Sequence, residues 1–421
     1  MKTPQNGCTA EQLLQMLPLS DIDQIAHDTN VDYKAKKITG IRMISIMLVS
    51  FLSTTRLSQR YIGEELSNHE FSELFKLSFM DGKLSHSSVS HRLKNMNVDF
   101  FEKSYHKISE KLQTLLPPEY LEDRYVISDS SMVQDVAGIL KQGMETGRKD
   151  GNDTHRKQLK YSVAMNGFDM RIAKIFDRQN ALSEDVALAR TVKGAIRTSQ
   201  RGDIFLFDRG TTSYSNLTAI LDLANDKGVT FIGRLKVSRK YESKRSNVSS
   251  IGVSNEDVEI IEDTESFLYD GRKKSYDESH RFRVIKARLL RHRPNSRITK
   301  GRKRKKEDEI LLITNDFKSS PLDICNSYKK RWSIEVFFKF LKQNLSFAHL
   351  LSSSRNGLMI ILYMMLITAA LVKIFEILNN LGPRIAILRF KIQLENWLLE
   401  HPVACDIPKD TSHNMHLDTH G

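Results

Sequence analysis

The stretch "LKYSVAMNGFDMRIAKIFDR", residues 159–178, decides how the rest of the chain is read. Two mostly apolar runs meet at Asn166–Gly167, a pair suited to the positive φ angles of a tight hairpin turn. They predict two antiparallel strands. Upstream, "RYVISDSS" (124–131) is a third short β run, ending in Asp129. Downstream, "SEDVALARTVKGAI" (183–196) starts with a capping Ser183 and two acids, which suits a helix N-terminus. "DIFLFDRG" (203–210) is a buried strand with Asp208 at its end. "NLTAILDLANDKG" (216–228) is a helix closed by Gly228, and "VTFIGRL" (229–235) is a further strand.

The order over 125–235 is therefore β-β-β-α-β-α-β, the order of a ribonuclease H-like fold. The fold class expected is α/β: a ribonuclease H-like mixed sheet flanked by helices. Residues 1–120 read as a helical N-terminal, DNA-binding domain. It includes the apolar "GIRMISIMLVSFLS" (40–53) and a polar helix over Leu84–Met96, whose Arg92 and Lys94 suggest a recognition helix. Pro117–Pro118 marks its boundary. The catalytic domain is expected over 121–380, with a β-rich insertion at 236–319. Residues 381–421 are expected to form a C-terminal helix and a flexible tail.

The insertion is bracketed by two basic runs. Residues 234–245 hold six bases and one acid; residues 291–306, "RHRPNSRITKGRKRKK", hold nine bases and no acid. A solvated loop would explain the second run. DNA contact by Arg302, Lys303 and Arg304 is the sharper expectation, because the whole chain is basic. Its 64 Lys+Arg against 51 Asp+Glu leave a net charge of +13 in 421 residues. That balance favours a polyanionic partner, nucleic acid first. The three cysteines, Cys8, Cys325 and Cys405, are far apart and lack zinc-site spacing. Reduced thiols and a cytoplasmic setting follow as expectations. The start, "MKTPQNGCTAEQLLQ", has no apolar signal core. Leu358–Val372 is strongly apolar but only 15 residues long, short of the roughly 20 a spanning helix needs. It is expected to be a buried helix rather than a membrane segment.

The segment "YKKRWSIEVFFKFLK" (328–342) holds one acid among bases and aromatics. Read as one continuous helix, Tyr328, Arg331, Glu335 and Lys342 fall within an arc of about 60°. The stripe is either a solvated face or a carboxylate held among groups that grip phosphates. Asp129 and Asp208 each close a strand that a ribonuclease H-like sheet sets side by side, and a helical Glu335 adds a third acid. Three clustered carboxylates need cations to stay ionised. Two Mg²⁺ ions, or Mn²⁺ in their place, about 3.5–4 Å apart, suit hard oxygen ligands and an in-line phosphoryl displacement. Asp177, Glu184 and Asp203 remain as alternative acids, and any single strand-end Asp is more often a turn residue.

The spacing Y-x-x-R-x-x-x-E-x-x-x-x-x-x-K, met by Tyr328, Arg331, Glu335 and Lys342, resembles the signature of the insertion-sequence-four family of DDE transposases, the YREK group. "SDSS" around Asp129 and "FDRG" at Phe207–Gly210 are similar to that family's two aspartate motifs. The resemblance runs from the helical N-terminal region to about residue 380. It implies Asp129, Asp208 and Glu335 as catalytic metal ligands, and Tyr328, Arg331 and Lys342 as phosphate contacts. It also implies cut-and-paste transposition through a DNA hairpin, double-stranded DNA (terminal inverted repeats and target) as partner, and a homodimer acting on a bacterial nucleoid. Two departures stand out. Thr211 follows "DRG" where the family often has Tyr, with Tyr214 displaced by three. No Trp lies in 236–319 to hold a flipped base, so Phe267, Tyr269 or Tyr276 would have to stack instead.

Overall fold

The computed structural model describes residues 7–35, 38–52, 57, 85–117, 124–135, 138–145, 157–167, 169–290, 309–345 and 350–400. The basic run 291–306, with Arg302, Lys303 and Arg304, lies outside them, as does the tail beyond 400.

Five helices open the described chain: α1 (Ala10–Gln15), α2 (Leu19–Thr29), α3 (Gly40–Leu52), α4 (His86–Asn95) and α5 (Val98–Gln113). Then come β1 (Tyr125–Gln134), β2 (Met144–Glu145), β3 (Lys157–Asn166), β4 (Asp169–Phe176), α6 (Glu184–Arg197), β5 (Ile204–Phe207), α7 (Tyr214–Lys227) and β6 (Thr230–Leu235). The insertion supplies β7 (Tyr241–Ser246), β8 (Val258–Asp270), β9 (Ser275–Leu289) and β10 (Glu309–Thr314). Helices α8 (Pro321–Lys329), α9 (Trp332–Asn344), α10 (Arg355–Leu378) and α11 (Pro383–Glu400) close it.

All ten strands belong to one mixed sheet. Its first half runs β4-β3-β1-β5-β6, with β3 antiparallel to both neighbours and β1, β5 and β6 mutually parallel. That is the ribonuclease H-like order expected above. The hairpin turn falls at Gly167, whose φ of 56° a Cβ would resist. The insertion does not stand apart from this sheet. β10 pairs antiparallel with β6, and β9, β8 and β7 continue outward. The open edge of β6 would otherwise leave a row of unpaired backbone groups.

Strand alternation separates two cores. Val126, Phe205, Phe207 and Phe231 face α6 and α7, while Ile127, Leu206 and Ile232 face the other way. On that second face one core joins the N-terminal helices to α8–α11. Its axis is α10, a helix of 24 residues and so longer than the 15-residue apolar run. By length and composition it could cross a membrane, yet it is buried between α3, α4, α5 and α11. The flanking residues 355–357 and 373–378 extend it, and Ser354 caps it by accepting from the Gly357 N–H. In α4, Arg92 is not available as a base reader. Its guanidinium donates to the carbonyls of Ile38 (2.9 Å) and Val31 (3.1 Å) and ties α4 to the loop between α2 and α3.

Candidate active site

The same alternation that builds the second core aims the polar residues. Ile127 and Asp129 share one face of β1, Leu206 and Asp208 one side of β5, and Ile232 and Arg234 one face of β6. The parallel register pairs Ser128 with Phe207, so Asp129 and Asp208 follow side by side. Asp129 does not end its strand, as the sequence had suggested. β1 runs on to Gln134 because its antiparallel partner β3 keeps pairing as far as Gln158. Asp129 instead lies just past the point where β5 stops.

The segment 328–342 is two helices, not one. Arg331 N–H bonds to Tyr328 O, and Ser333 N–H to Lys330 O, in tight i→i+3 turns that break the α-helical ladder. The joint is anchored on β1. Tyr125 Oη and Ser327 Oγ are 2.9 Å apart, and the Lys330 ammonium lies 4.2 Å over the Tyr125 ring. Tyr328 therefore lies in the last turn of α8 while Arg331 stands at the N-cap of α9, with Glu335 in its first turn.

These residues meet the strand acids. Tyr328 Oη donates to Asp208 Oδ1 at 3.3 Å. Arg331 Nη1 lies 3.9 Å from Asp129 Oδ2, and Arg331 Nη2 donates to Glu335 Oε1. The guanidinium is buried, only 8% exposed, and stands between the two acids as a cation would. Lys342 is exposed, about 10 Å further along α9 on the same face.

Burial pushes the Asp129 carboxyl up to about 6. The Ser130 N–H and Arg331 oppose the rise, and Asp208 and Glu184 add to it. Burial, then the Asp208 charge, also raises the Tyr328 phenol, which stays a proton donor. Among the described residues no group of three His, Cys, Asp or Glu side chains stands ready to hold a metal ion. Arg331 occupies the place between Asp129 and Glu335. The donors themselves, two adjacent aspartates and a glutamate, are the hard oxygens a divalent cation prefers.

Two further residues join the site: Arg234, which had not been singled out, and Glu184, one of the alternative acids. Arg234, at the end of β6, brings Nη1 to 3.9 Å from Asp208 Oδ1. Glu184, first residue of α6, presses on Gly210 so closely that a Cβ there would sit 2.6 Å from its own Cβ. Its carboxylate meets the buried Lys160 ammonium at 2.8 Å. The other alternative acids lie elsewhere. Asp203 precedes β5, at the strand end opposite Asp208, and accepts from the Gln200 N–H. Asp177 pairs with Arg355 at 3.2 Å.

The stacking candidates separate as well. Phe267 is buried at 8% exposure and Tyr276 is 38% exposed. The Tyr269 ring already has Lys240 over it and Tyr276 against it. The displaced Tyr214 turns away and donates to Asp277 on β9.

A family model described as a transposase DDE domain matches residues 131–371, starting two residues beyond Asp129. The chain is 28% identical over 222 residues to a Sinorhizobium fredii protein named "Putative transposase y4zB". That match covers 53% of this chain and 54% of the relative, so the chain spans about half the length of the curated relative it matches. A solved piggyBac transposase synaptic complex with hairpin DNA aligns over 95% of this chain and 83% of its own, at 9% identity and a TM-score of 0.46. The family model spans more than half of the 421 residues, and the chain belongs to the DDE transposases.

Proposed function

We propose that the chain is a DNA transposase of the YREK type, which cuts its own insertion sequence out of DNA and inserts it elsewhere. The observation that carries this reading is the adjacency of Asp129 and Asp208, with Glu335 joined to them through Arg331. Asp129, Asp208 and Glu335 would hold Mg²⁺ or Mn²⁺, and such a pair of ions supplies activation of the attacking oxygen and charge neutralisation at the leaving one. The chain's own groups do the rest. Arg331 keeps Glu335 and Asp129 from repelling each other before DNA arrives. As phosphate enters, Arg331 and the Tyr328 phenol transfer their donors from carboxylate to phosphate oxygens. Arg234 steadies Asp208 on its other side.

A water oxygen then bonds to phosphorus, and the P–O3′ bond breaks, leaving a 3′-OH and a 5′-phosphate. In the second step that 3′-OH bonds to a phosphorus of the opposite strand, whose P–O3′ bond to the flanking DNA breaks and releases the flank with a 3′-OH; water then reopens the hairpin before strand transfer. Lys342 and the run Arg302–Lys303–Arg304 add backbone contacts, and the N-terminal helices bind the element ends. Two ends must be held together, so a homodimer is the working form, on the nucleoid of a bacterial cytoplasm.

The test is cleavage of labelled DNA carrying the sequences that flank the coding region, with Mg²⁺ or with EDTA. Metal-dependent cuts at the element ends are expected from the wild type. Asp208→Asn and Glu335→Ala are expected to bind the same ends and cut nothing. Wild-type rates from either variant would remove these residues from the chemistry. Cutting without regard to the ends would make the chain a nuclease that does not transpose, and end binding without any cut a DNA-binding protein.

A further inference from the structure

A cleft of about 320 Å³ is lined by Thr212, Leu235, Lys236, Ser238, Arg239, Lys240 and Tyr269, on the sheet face that carries α6 and α7. Its walls are the loops that leave the two strands carrying Asp208 and Arg234. Thr212 comes four residues after Asp208, and Leu235 follows Arg234 directly. The cleft therefore opens at the same end of the sheet as the acids.

Its chemistry is that of an anion site. Three cationic residues, Lys236, Arg239 and Lys240, and three hydroxyl residues, Thr212, Ser238 and Tyr269, line it. Arg239 is held in place by Nη2 donating to Tyr269 O at 3.1 Å, while its Nε–H is buried with no hydrogen-bond partner. A buried donor without an acceptor is unfavourable, and Arg239 therefore carries unspent hydrogen-bonding capacity at the cleft wall. The acids nearby are engaged with backbone. Asp185 accepts from the N–H groups of Thr212 (2.7 Å) and Ser213 (2.9 Å), and Asp270 from that of Arg272. A nucleobase is disfavoured by the same contacts, because Lys240 and Tyr276 already occupy the Tyr269 ring.

We infer that this cleft, formed by Lys236, Arg239, Lys240, Thr212 and Ser238, binds one backbone phosphate of the DNA, away from the phosphate that is cut. The site deepens the transposase reading above and rests on it. A phosphate held here, in addition to the one at the acids, fixes the register of the DNA on the protein.

The test uses the full chain and a duplex carrying an element end. One phosphate at a time is replaced by a neutral methylphosphonate, and binding is compared between wild type and Lys236→Ala/Lys240→Ala. Both lysines are exposed, so the variant is expected to melt like the wild type. One position is expected to weaken wild-type binding several-fold and to have no effect in the variant. At the unmodified duplex the slope of log Kobs against log salt should fall by about 0.9 in the variant, the loss of one phosphate contact. Lys236→Arg/Lys240→Arg should restore both readouts. Equal responses of the wild type and the alanine variant at every position would overturn the site and leave the transposase reading intact. A wild type that binds no DNA would overturn both.

Discussion

Arg331 shows what a single side chain decides in this molecule. A guanidinium between Asp129 and Glu335 lets like charges approach before any other cation is present. A different arginine, Arg283 on β9, does structural work. It meets Asp263 through two bonds, Nε to Oδ1 at 2.7 Å and Nη2 to Oδ2 at 2.8 Å, and its Nη1 donates to Ser319 O at 2.7 Å. Burial alone would raise the Asp263 carboxyl. The bonds and charge of Arg283 outweigh that and hold it below its ordinary value. A carboxyl with a lower pKa folded than unfolded binds fewer protons in the native state. Its contribution is thus complete above the unfolded value of about 3.9 and is lost as pH falls through the folded one. Measured as the difference between the wild type and Arg283→Met, this contribution should stay constant from neutrality to about pH 4 and fall below it in denaturant titrations. Arg283→Met should cost about 3–5 kcal/mol at neutral pH, because it strands a buried carboxylate. A loss under about 1 kcal/mol would mean that water already reaches the pair.

Between elements, the close approach of β5 and β6 controls where Asp208 stands. At Gly233 on β6 a Cβ would come within 2.3 Å of the Phe207 ring, and Phe207 directly precedes Asp208. Gly233→Ala should push that ring and the strand end with it. The expected cost is about 1–3 kcal/mol of stability, read as a lowered Tm, together with reduced cleavage at temperatures where the variant is still folded. Unchanged cleavage in a destabilised variant would separate the packing of Phe207 from the position of Asp208. The α8–α9 joint acts in the same way from the other side. Its i→i+3 turns, and the grip of Lys330 and Ser327 on Tyr125, set where Arg331 and Glu335 begin.

On the scale of the molecule, α10 is the post around which the rest is built. Its apolar surface is covered on one side by α3, α4 and α5 and elsewhere by α11. Removing residues 1–123 would expose a face of Leu, Ile and Met side chains, and exposed apolar patches of that kind drive association. A fragment that starts at residue 124 should therefore be recovered as aggregate. Light scattering and a melting curve decide the matter: a monodisperse fragment with a cooperative transition would show that the sheet and α8–α11 stand alone.

The local pattern of residues was enough for the sheet's first half and for the chain order of the acids. The short apolar runs in 125–176, the Asn166–Gly167 turn and the Gly228 stop are short-range signals on which local sterics act directly, and the helix starts after Ser183 as expected although the Ser183 side chain makes no capping bond. The spacing of Tyr328, Arg331, Glu335 and Lys342 was equally plain as a list of residues. Their geometry was not, because the turn at 330–331 is held by contacts with Tyr125, some two hundred residues earlier in the chain. Tertiary structure alone decided that Arg331 lies between two acids, that Arg234 and Glu184 come to the site, and that Arg92 is turned inward. It also decided that the insertion extends the sheet through β6 and β10 instead of forming a unit of its own. Each of these outcomes depends on pairing and packing between distant segments, where the partner, not the local sequence, sets register and direction.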